Sequence, residues 1–365
     1  MTNQPVSWRN VLLKALVLFL VANLLFAATD PRPALGRLSL YNRLFPGRLR
    51  LPYGERPDLA YNLSLNNLEA MFASHEIAQP RPAETRRVVL IGDSATWGYL
   101  LRPEQTLAAR LKQRGFQVYN LGYPTLSATK DLLLLQYALR CQPDLIIWLV
   151  TLESLPLDKQ LTSPIVQKNA AEARRLIADF NLRQLNLPAE DRMAALWSRT
   201  LWGARRDLAD LFWLQMYGIL WAGTGIDQYY PAAYDPPQSD LEADQTFHGL
   251  QPPTLRADDL ALDVLAAGVQ MAGATPVLLV NEPIYLSQGK NSDLRYNFFY
   301  PRWAYDQYRQ LLAERCQQAG WRCLDAWDWT PAAEFTNSAI HRSPAGEQQL
   351  AEALAPVIQE ILGGR

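Results

Sequence analysis

Along the chain, short uninterrupted apolar runs alternate with segments whose apolar residues recur every three or four positions. The runs RVVLIG (87–92), FQVYNLG (116–122), DLIIWLV (144–150), TPVLLVNEP (275–283) and WRCLDAW (321–327) are the length of strands. Where such a run lacks polar alternation, as in Val88 to Ile91, it fits a strand buried on both faces of a parallel sheet. Between the runs, PEQTLAARLKQRG (103–115), KDLLLLQYALRC (130–141), LALDVLAAGVQMAG (260–273) and WAYDQYRQLLAERCQQAG (303–320) carry helical periodicity, three of them stopped by Gly115, Gly273 or Gly320. A closing helix begins near Pro344, a residue favoured in a first helical turn. Strand, helix and strand in succession with short loops predict an α/β fold. It is a three-layer α/β/α domain around a five-stranded parallel sheet with right-handed crossovers.

The alternation breaks in two places. From 156 to 256 the segments NAAEARRLIADF and MAALWSRTLWGARRDLADLFWLQMYGILWAG predict a largely helical insertion. Arg205, Arg206, Asp207 and Asp210 interrupt its longest apolar stretch, which reads as an amphipathic helix pair covering the site rather than a second membrane segment. At the N-terminus, an apolar run from Ala15 to Leu25, interrupted by Asn23, reaches Ala28, and counting from Val11 while tolerating Lys14 gives roughly 18 residues, the lower limit of a spanning helix. A cleaved signal peptide fits that length too, but Phe26 spoils the small-residue pattern before a cut after Ala28, which favours an uncleaved signal anchor. Arg9 and Lys14 precede the run, whereas Arg32, Arg37, Arg43, Arg48 and Arg50 follow it, a balance that opposes export of the body. The short basic head of a first helix and the chemistry below favour an extracytoplasmic domain. The expected organisation is therefore a membrane helix over 1–29, a Pro- and Arg-rich collar over 30–85, and the α/β domain over 86–362 with its insertion.

Composition narrows the function. A net charge of −1 with no like-charge run argues against nucleic-acid binding. The 11 tryptophans and 16 tyrosines suit sugar stacking or a membrane interface, and suit ordinary cores as well. None of the three cysteines has zinc-ligand spacing. Cys316 and Cys323 flank a helix-to-strand turn that a disulfide spans in an oxidising compartment; three buried thiols fit the spacing equally.

The first strand runs into Gly92-Asp93-Ser94. Side chains at the carboxyl ends of strands in an open α/β sheet face the ligand crevice, so Ser94 is placed as a nucleophile. Asp93 and Ser94 also suit a helix cap. A serine nucleophile needs a base. Of three histidines, His75 lies in the collar and His248 in the insertion, whereas His341 follows the last strand at the same sheet edge as Ser94.

GDSATWG (92–98), NLGYPTLS (120–127) and HRSPAG (341–346) resemble three sequence blocks of the SGNH or GDSL-type hydrolase superfamily, over roughly 86–155 and 258–362. The resemblance implies a flavodoxin-like fold with Ser94 as nucleophile, the Gly122 N–H as an oxyanion donor and His341 as base. It departs from the pattern twice. Ser338 stands where the family has an aspartate three residues before the histidine, leaving Asn337, or Asp328 near the last strand, to orient the ring. Glu153 stands near the family's third-block asparagine, and Asn281 at the end of the fourth strand is the substitute amide. The anchor, the insertion and the aromatic content resemble the branch that moves acyl groups on surface polymers, such as alginate O-acetyltransferases. Three activities follow as expectations. One is a serine esterase or O-acyltransferase without cofactor or metal, acting on an acylated carbohydrate or small ester beside a multispanning acyltransferase. Its rivals are a catalytically silent carbohydrate-binding protein and a membrane-associated phospholipase.

Overall fold

The computed structural model describes residues 7–36, 38–45, 68–73, 75–78, 86–182, 185–187, 192–226 and 230–363. Strands β1 (Arg87–Ile91), β2 (Gln117–Asn120), β3 (Leu145–Val150), β4 (Val277–Asn281) and β5 (Arg322–Asp325) coincide with the five apolar runs. They form one parallel sheet in the order β2-β1-β3-β4-β5. Helices α1 (Trp8–Thr29), α2 (Arg32–Gly36), α3 (Leu40–Leu44) and α4 (Leu68–Ala73) precede the sheet. The chain continues through α5 (Ser94–Trp97), α6 (Leu107–Gln113), α7 (Ala128–Leu139), α8 (Pro164–Lys168), α9 (Ala170–Asp179), α10 (Arg192–Arg199) and α11 (Arg205–Thr224). It closes with α12 (Leu262–Ala272), α13 (Arg302–Ala319) and α14 (Pro344–Gly363).

The unbroken apolar runs sort by the two-residue period of a strand. Val89, Ile91, Trp148 and Leu279 face a core shared with α7, α12 and α13, while Val88, Leu90, Ile147 and Val280 face a second core with α6 and α14. Both sheet faces are thus covered, as the three-layer reading requires. From β1 the chain steps to β2 on one side and later to β3 on the other. Ser94 follows β1 at the switch point between β1 and β3, the place where ligands lodge in such sheets.

Helix α1 has 22 residues and a mean hydropathy of 2.5 over its most apolar window. At 1.5 Å per residue it is about 33 Å long, enough to cross a hydrocarbon core of about 30 Å. Residues 46–67 and 79–85 of the expected collar lie outside the described residues. Where the collar is described, Leu68, Met71 and Phe72 of α4 join the main core.

One expectation is corrected. The amphipathic pair α10–α11 does not pack as a cover over the site. Helix α11 packs on α2 and α3, and α10 on α1. Tyr41 of α3 is fully buried against Leu214, Ile219 and Ala222. Gln215 fixes this contact, its Oε1 accepting from the Leu40 N–H at 2.8 Å and its Nε2 donating to the Leu38 carbonyl at 3.2 Å. The inward stripe of α11 is spent on the collar. Cys316 and Cys323 form a disulfide with Cα atoms 6.2 Å apart, and Cys141 is free.

Candidate active site

The turn that carries Ser94 is built by its neighbours. A Cβ at Gly92 would lie 2.2 Å from Thr96 Oγ1, and one at Gly122 2.4 Å from the Trp97 nitrogen. Only glycine lets the β1 and β2 exits close on α5 this tightly. Asp93 caps α5, its Oδ1 accepting from the Ala95 N–H at 2.8 Å. Ser94 therefore begins the helix, half-buried, with its N–H in the unpaired first turn.

Ser94 Oγ lies 2.8 Å from His341 Nε2. On the far side, His341 Nδ1 lies 3.2 Å from Asn337 Oδ1. An amide oxygen accepts, so Nδ1 carries the proton and Nε2 is free to accept from the serine. Thr336 shares its hydroxyl proton between Asn337 Oδ1 at 3.3 Å and the His341 carbonyl at 3.2 Å, which holds the amide oxygen toward the ring. Burial pulls His341 down to about 4; the charge of Asp93 opposes the shift and Arg342 reinforces it. At neutral pH the imidazole is an uncharged acceptor. The ring of Tyr99 lies 4.8 Å from that of His341 and is partly exposed at the mouth.

The other candidates separate. Asp328 is exposed, and no hydrogen bond joins it to His341 among the described residues, so the structure places Asn337 behind the ring. The Gly122 N–H donates to Asn120 Oδ1 at 2.9 Å and is not free to meet an oxyanion. Asn120 Nδ2 in turn donates to the Thr96 carbonyl at 3.0 Å, bracing the nucleophile turn. Asn281 faces away from Ser94: its Nδ2 donates to Asp325 Oδ1 at 2.8 Å, and its Oδ1 accepts from Tyr308 at 3.1 Å and Tyr305 at 3.3 Å. The strand period explains this, because Asn281 shares the face of Leu279, under α13. Glu153 is buried but neutralised by Lys159 and by His248, whose Nε2 lies 3.1 Å away. His248 Nδ1 lies 2.9 Å from Asp158. The hydrogen bond to Glu153, then that to Asp158, raises His248 against the effect of burial.

Sequence reasoning missed the residues beneath the turn. Glu282, one residue past Asn281, falls on the opposite face and meets Asp93. Asp93 Oδ2 and Glu282 Oε1 are both buried without a hydrogen-bond partner among the described residues. Burial first, and then the charge of Asp93, hold Glu282 well above the carboxylate range. The fully buried Arg342 donates to Glu282 Oε2 at 3.3 Å and to Glu347 Oε1 at 3.1 Å. Burial lifts Glu347 to about 7 against the pull of Arg342. Alternation along NEP was the available signal, since it puts positions 281 and 282 on opposite faces. Among the described residues no group of three His, Cys, Asp or Glu side chains is set to hold a metal.

No protein-family model and no curated protein matches the chain. Similar solved structures include a protein assigned to the G-D-S-L lipolytic family from Desulfitobacterium hafniense DCB-2, 14% identical over 75% of this chain and 99% of that one, with a TM-score of 0.36. A carbohydrate acetylesterase family member from Sinorhizobium meliloti is 13% identical over 76% and 100%, with a TM-score of 0.34. The aryl esterase of M. smegmatis is 15% identical over 76% and 100%, with a TM-score of 0.35.

Proposed function

We propose that the protein is a membrane-anchored serine esterase or O-acyltransferase, and the observation that carries the reading is Ser94 Oγ 2.8 Å from an uncharged His341 Nε2. His341 takes the serine proton as Oγ attacks an ester carbonyl, and the Ser94 N–H meets the oxygen on which charge develops. Collapse of that intermediate expels the alcohol with the proton that His341 holds. Water, or a sugar hydroxyl in the transferase case, then takes the acyl group from Ser94 by the same steps in reverse. Asn337 keeps the ring in the productive tautomer without lending it charge.

A carbohydrate ester is the substrate class supported best. Arg102, Tyr230 and Tyr234 line a groove with Pro344, three residues beyond His341. Aromatic faces beside polar side chains suit sugar rings. The disulfide supports a domain outside the cytoplasm, and Arg32, one of the flanking cations that opposed export, is paired with Asp30 at 2.6 Å. A multispanning acyltransferase partner fits the same location. The silent carbohydrate-binding reading is favoured by one observation, the Gly122 N–H already spent on Asn120.

Fluorophosphonate labelling of the full chain decides between them. Labelling that Ser94→Ala abolishes, with the melting temperature nearly unchanged, is the expected result. A folded wild-type protein that stays unlabelled overturns the enzyme.

A further inference from the structure

We propose that α10 and α11 lie in the membrane–water interface beside α1, so that the bilayer holds the protein by a spanning helix and by an aromatic platform embedded in one leaflet. The proposal rests on the anchor reading of α1. It starts from where the large apolar side chains are left uncovered. Among the described residues, every exposed large hydrophobic except Tyr99 and Phe298 lies within 8–44 or 193–226. A soluble surface scatters such residues singly; a contiguous patch marks an interaction face.

The charge pattern of α11 says what the face meets. Arg205, Arg206, Asp207 and Asp210 occupy its first two turns, and from Leu211 to Ile226 there is no charged residue. The inward polar side chain, Gln215, is spent on the backbone of residues 38 and 40. Phe212, Trp213, Met216, Tyr217, Leu220 and Trp221 point outward and are exposed. Trp213, Tyr217 and Trp221 stack in series, with centroids 5.8 and 6.0 Å apart. Tryptophan and tyrosine collect at the headgroup level of bilayers. The helical part of that stretch, Leu211 to Thr224, is about 21 Å long at 1.5 Å per residue, short of the about 30 Å needed to cross, so it suits lying along the interface rather than spanning.

Continuity with α1 sets the depth. Asn23, the one buried residue of α1, accepts from the Trp202 N–H at 2.9 Å, and Phe19 meets the Trp202 ring edge-on at 6.1 Å. Asn23 and Phe19 lie six and ten residues before the end of α1 at Thr29, or about 9 and 15 Å along its axis. If α1 spans, Trp202 sits below the helix end by that distance, near the about 5–10 Å to which interfacial helices sink. Arg32 closes the outer edge, donating to the Ser198 carbonyl at 3.5 Å and pairing with Asp207 at 3.7 Å. The polar start of α11 thus pairs with Arg32 just past the end of the anchor, and the exposed aromatic side chains follow it along the helix.

The test is collision accessibility of spin labels on the full chain, with Cys141→Ser as background, in phosphatidylethanolamine–phosphatidylglycerol vesicles. Labels are placed singly through Leu20→Cys in the anchor, Tyr217→Cys and Leu220→Cys on the platform, and Asp210→Cys as the aqueous control, each variant checked by its melting curve. The expected result is a preference for oxygen over a water-soluble nickel chelate at 20, 217 and 220, severalfold above that at 210. Lipid contact at 20 with water contact at 217 and 220 overturns the platform while leaving the anchor intact. Shielding of 217 and 220 from both reagents assigns the face to a protein, either a second copy or a membrane partner, and also overturns the proposal. Water contact at 20 overturns the anchor reading, and the platform with it.

Discussion

Two histidines on this α/β domain each sit between two polar partners, and the charge of those partners separates their chemistry. His341 lies between the Ser94 hydroxyl and the Asn337 amide, with the buried Arg342 adding positive charge nearby, and is driven down to about 4. His248 lies between the carboxylates of Glu153 and Asp158 and is raised. Neutral partners and burial leave a ring that accepts a proton from serine; anionic partners favour the protonated ring beside Glu153. The same side chain is a base in one setting and a counter-ion in the other.

Deleting each ring in turn separates the two roles most strongly. His341→Ala is expected to lose roughly 10³-fold or more in ester turnover, because the serine loses its proton acceptor. His248→Ala is expected to leave turnover near the wild-type level. Initial rates on an aryl acetate read both variants. A loss of the first size in His248→Ala would transfer the base to the insertion.

The next effect tests the floor under His341. Arg342 is the counter-charge between Glu282 and Glu347, all three fully buried. Arg342→Ala leaves two carboxyls without it, and breaking a buried pair of this kind costs about 3–5 kcal/mol. Glu282→Gln is expected to be tolerated, since a neutral amide still donates toward Asp93 and accepts from Arg342. Urea unfolding at neutral pH measures both. A stable Arg342→Ala protein would remove the network from the account of how the turn is held.

The sheet and the Ser94–His341 pair were legible in the sequence because both follow from one-dimensional patterns. Apolar runs of strand length mark the five strands, and a serine just after the first strand and a histidine in the loop after the last one both lie at the carboxyl edge of the sheet. The orientation of residues past a strand was less legible. Asn281 and Glu282 are adjacent, and assigning the amide to the site required knowing which face Leu279 takes. The use of backbone N–H groups was not legible at all: NLGYPTLS does not say that Asn120 caps the Gly122 nitrogen. Nor could periodicity say which surface the insertion covers, since an amphipathic helix buries its stripe equally well on a collar or on a site.

Asn337→Asp sharpens the comparison by giving His341 part of the environment of His248. A charged acceptor at Nδ1 strengthens that hydrogen bond by about 1 kcal/mol over a neutral one and stabilises the imidazolium of the transition state. Turnover is expected to rise about fivefold. In the wild type, the acid limb of kcat/KM is expected near 4, where His341 takes up its proton. In the variant the limb moves upward. A pH–rate profile reads both quantities, and an unmoved limb would show that Asn337 does not set the ring's environment.

The smallest effect lies at His248, and its sign is opposite to that at His341. His341 is held below the ordinary histidine value of 6.5, so the stability linked to it is present above that value and is lost as pH falls toward about 4. His248 is held above the ordinary value, so its contribution is fully present below about 6.5 and is lost as pH rises through its own higher value. Its side chain is about one-fifth exposed and Asp158 lies mostly in water, which limits the increment to about 0.5 kcal/mol. Subtracting the stability of His248→Gln from that of the wild type across neutral pH isolates it. The difference is expected to favour the wild type at pH 6 and to shrink as the pH is raised to about 8. A difference that grows with pH instead would mean that His248 is neutral in the folded protein and that Lys159 alone balances Glu153.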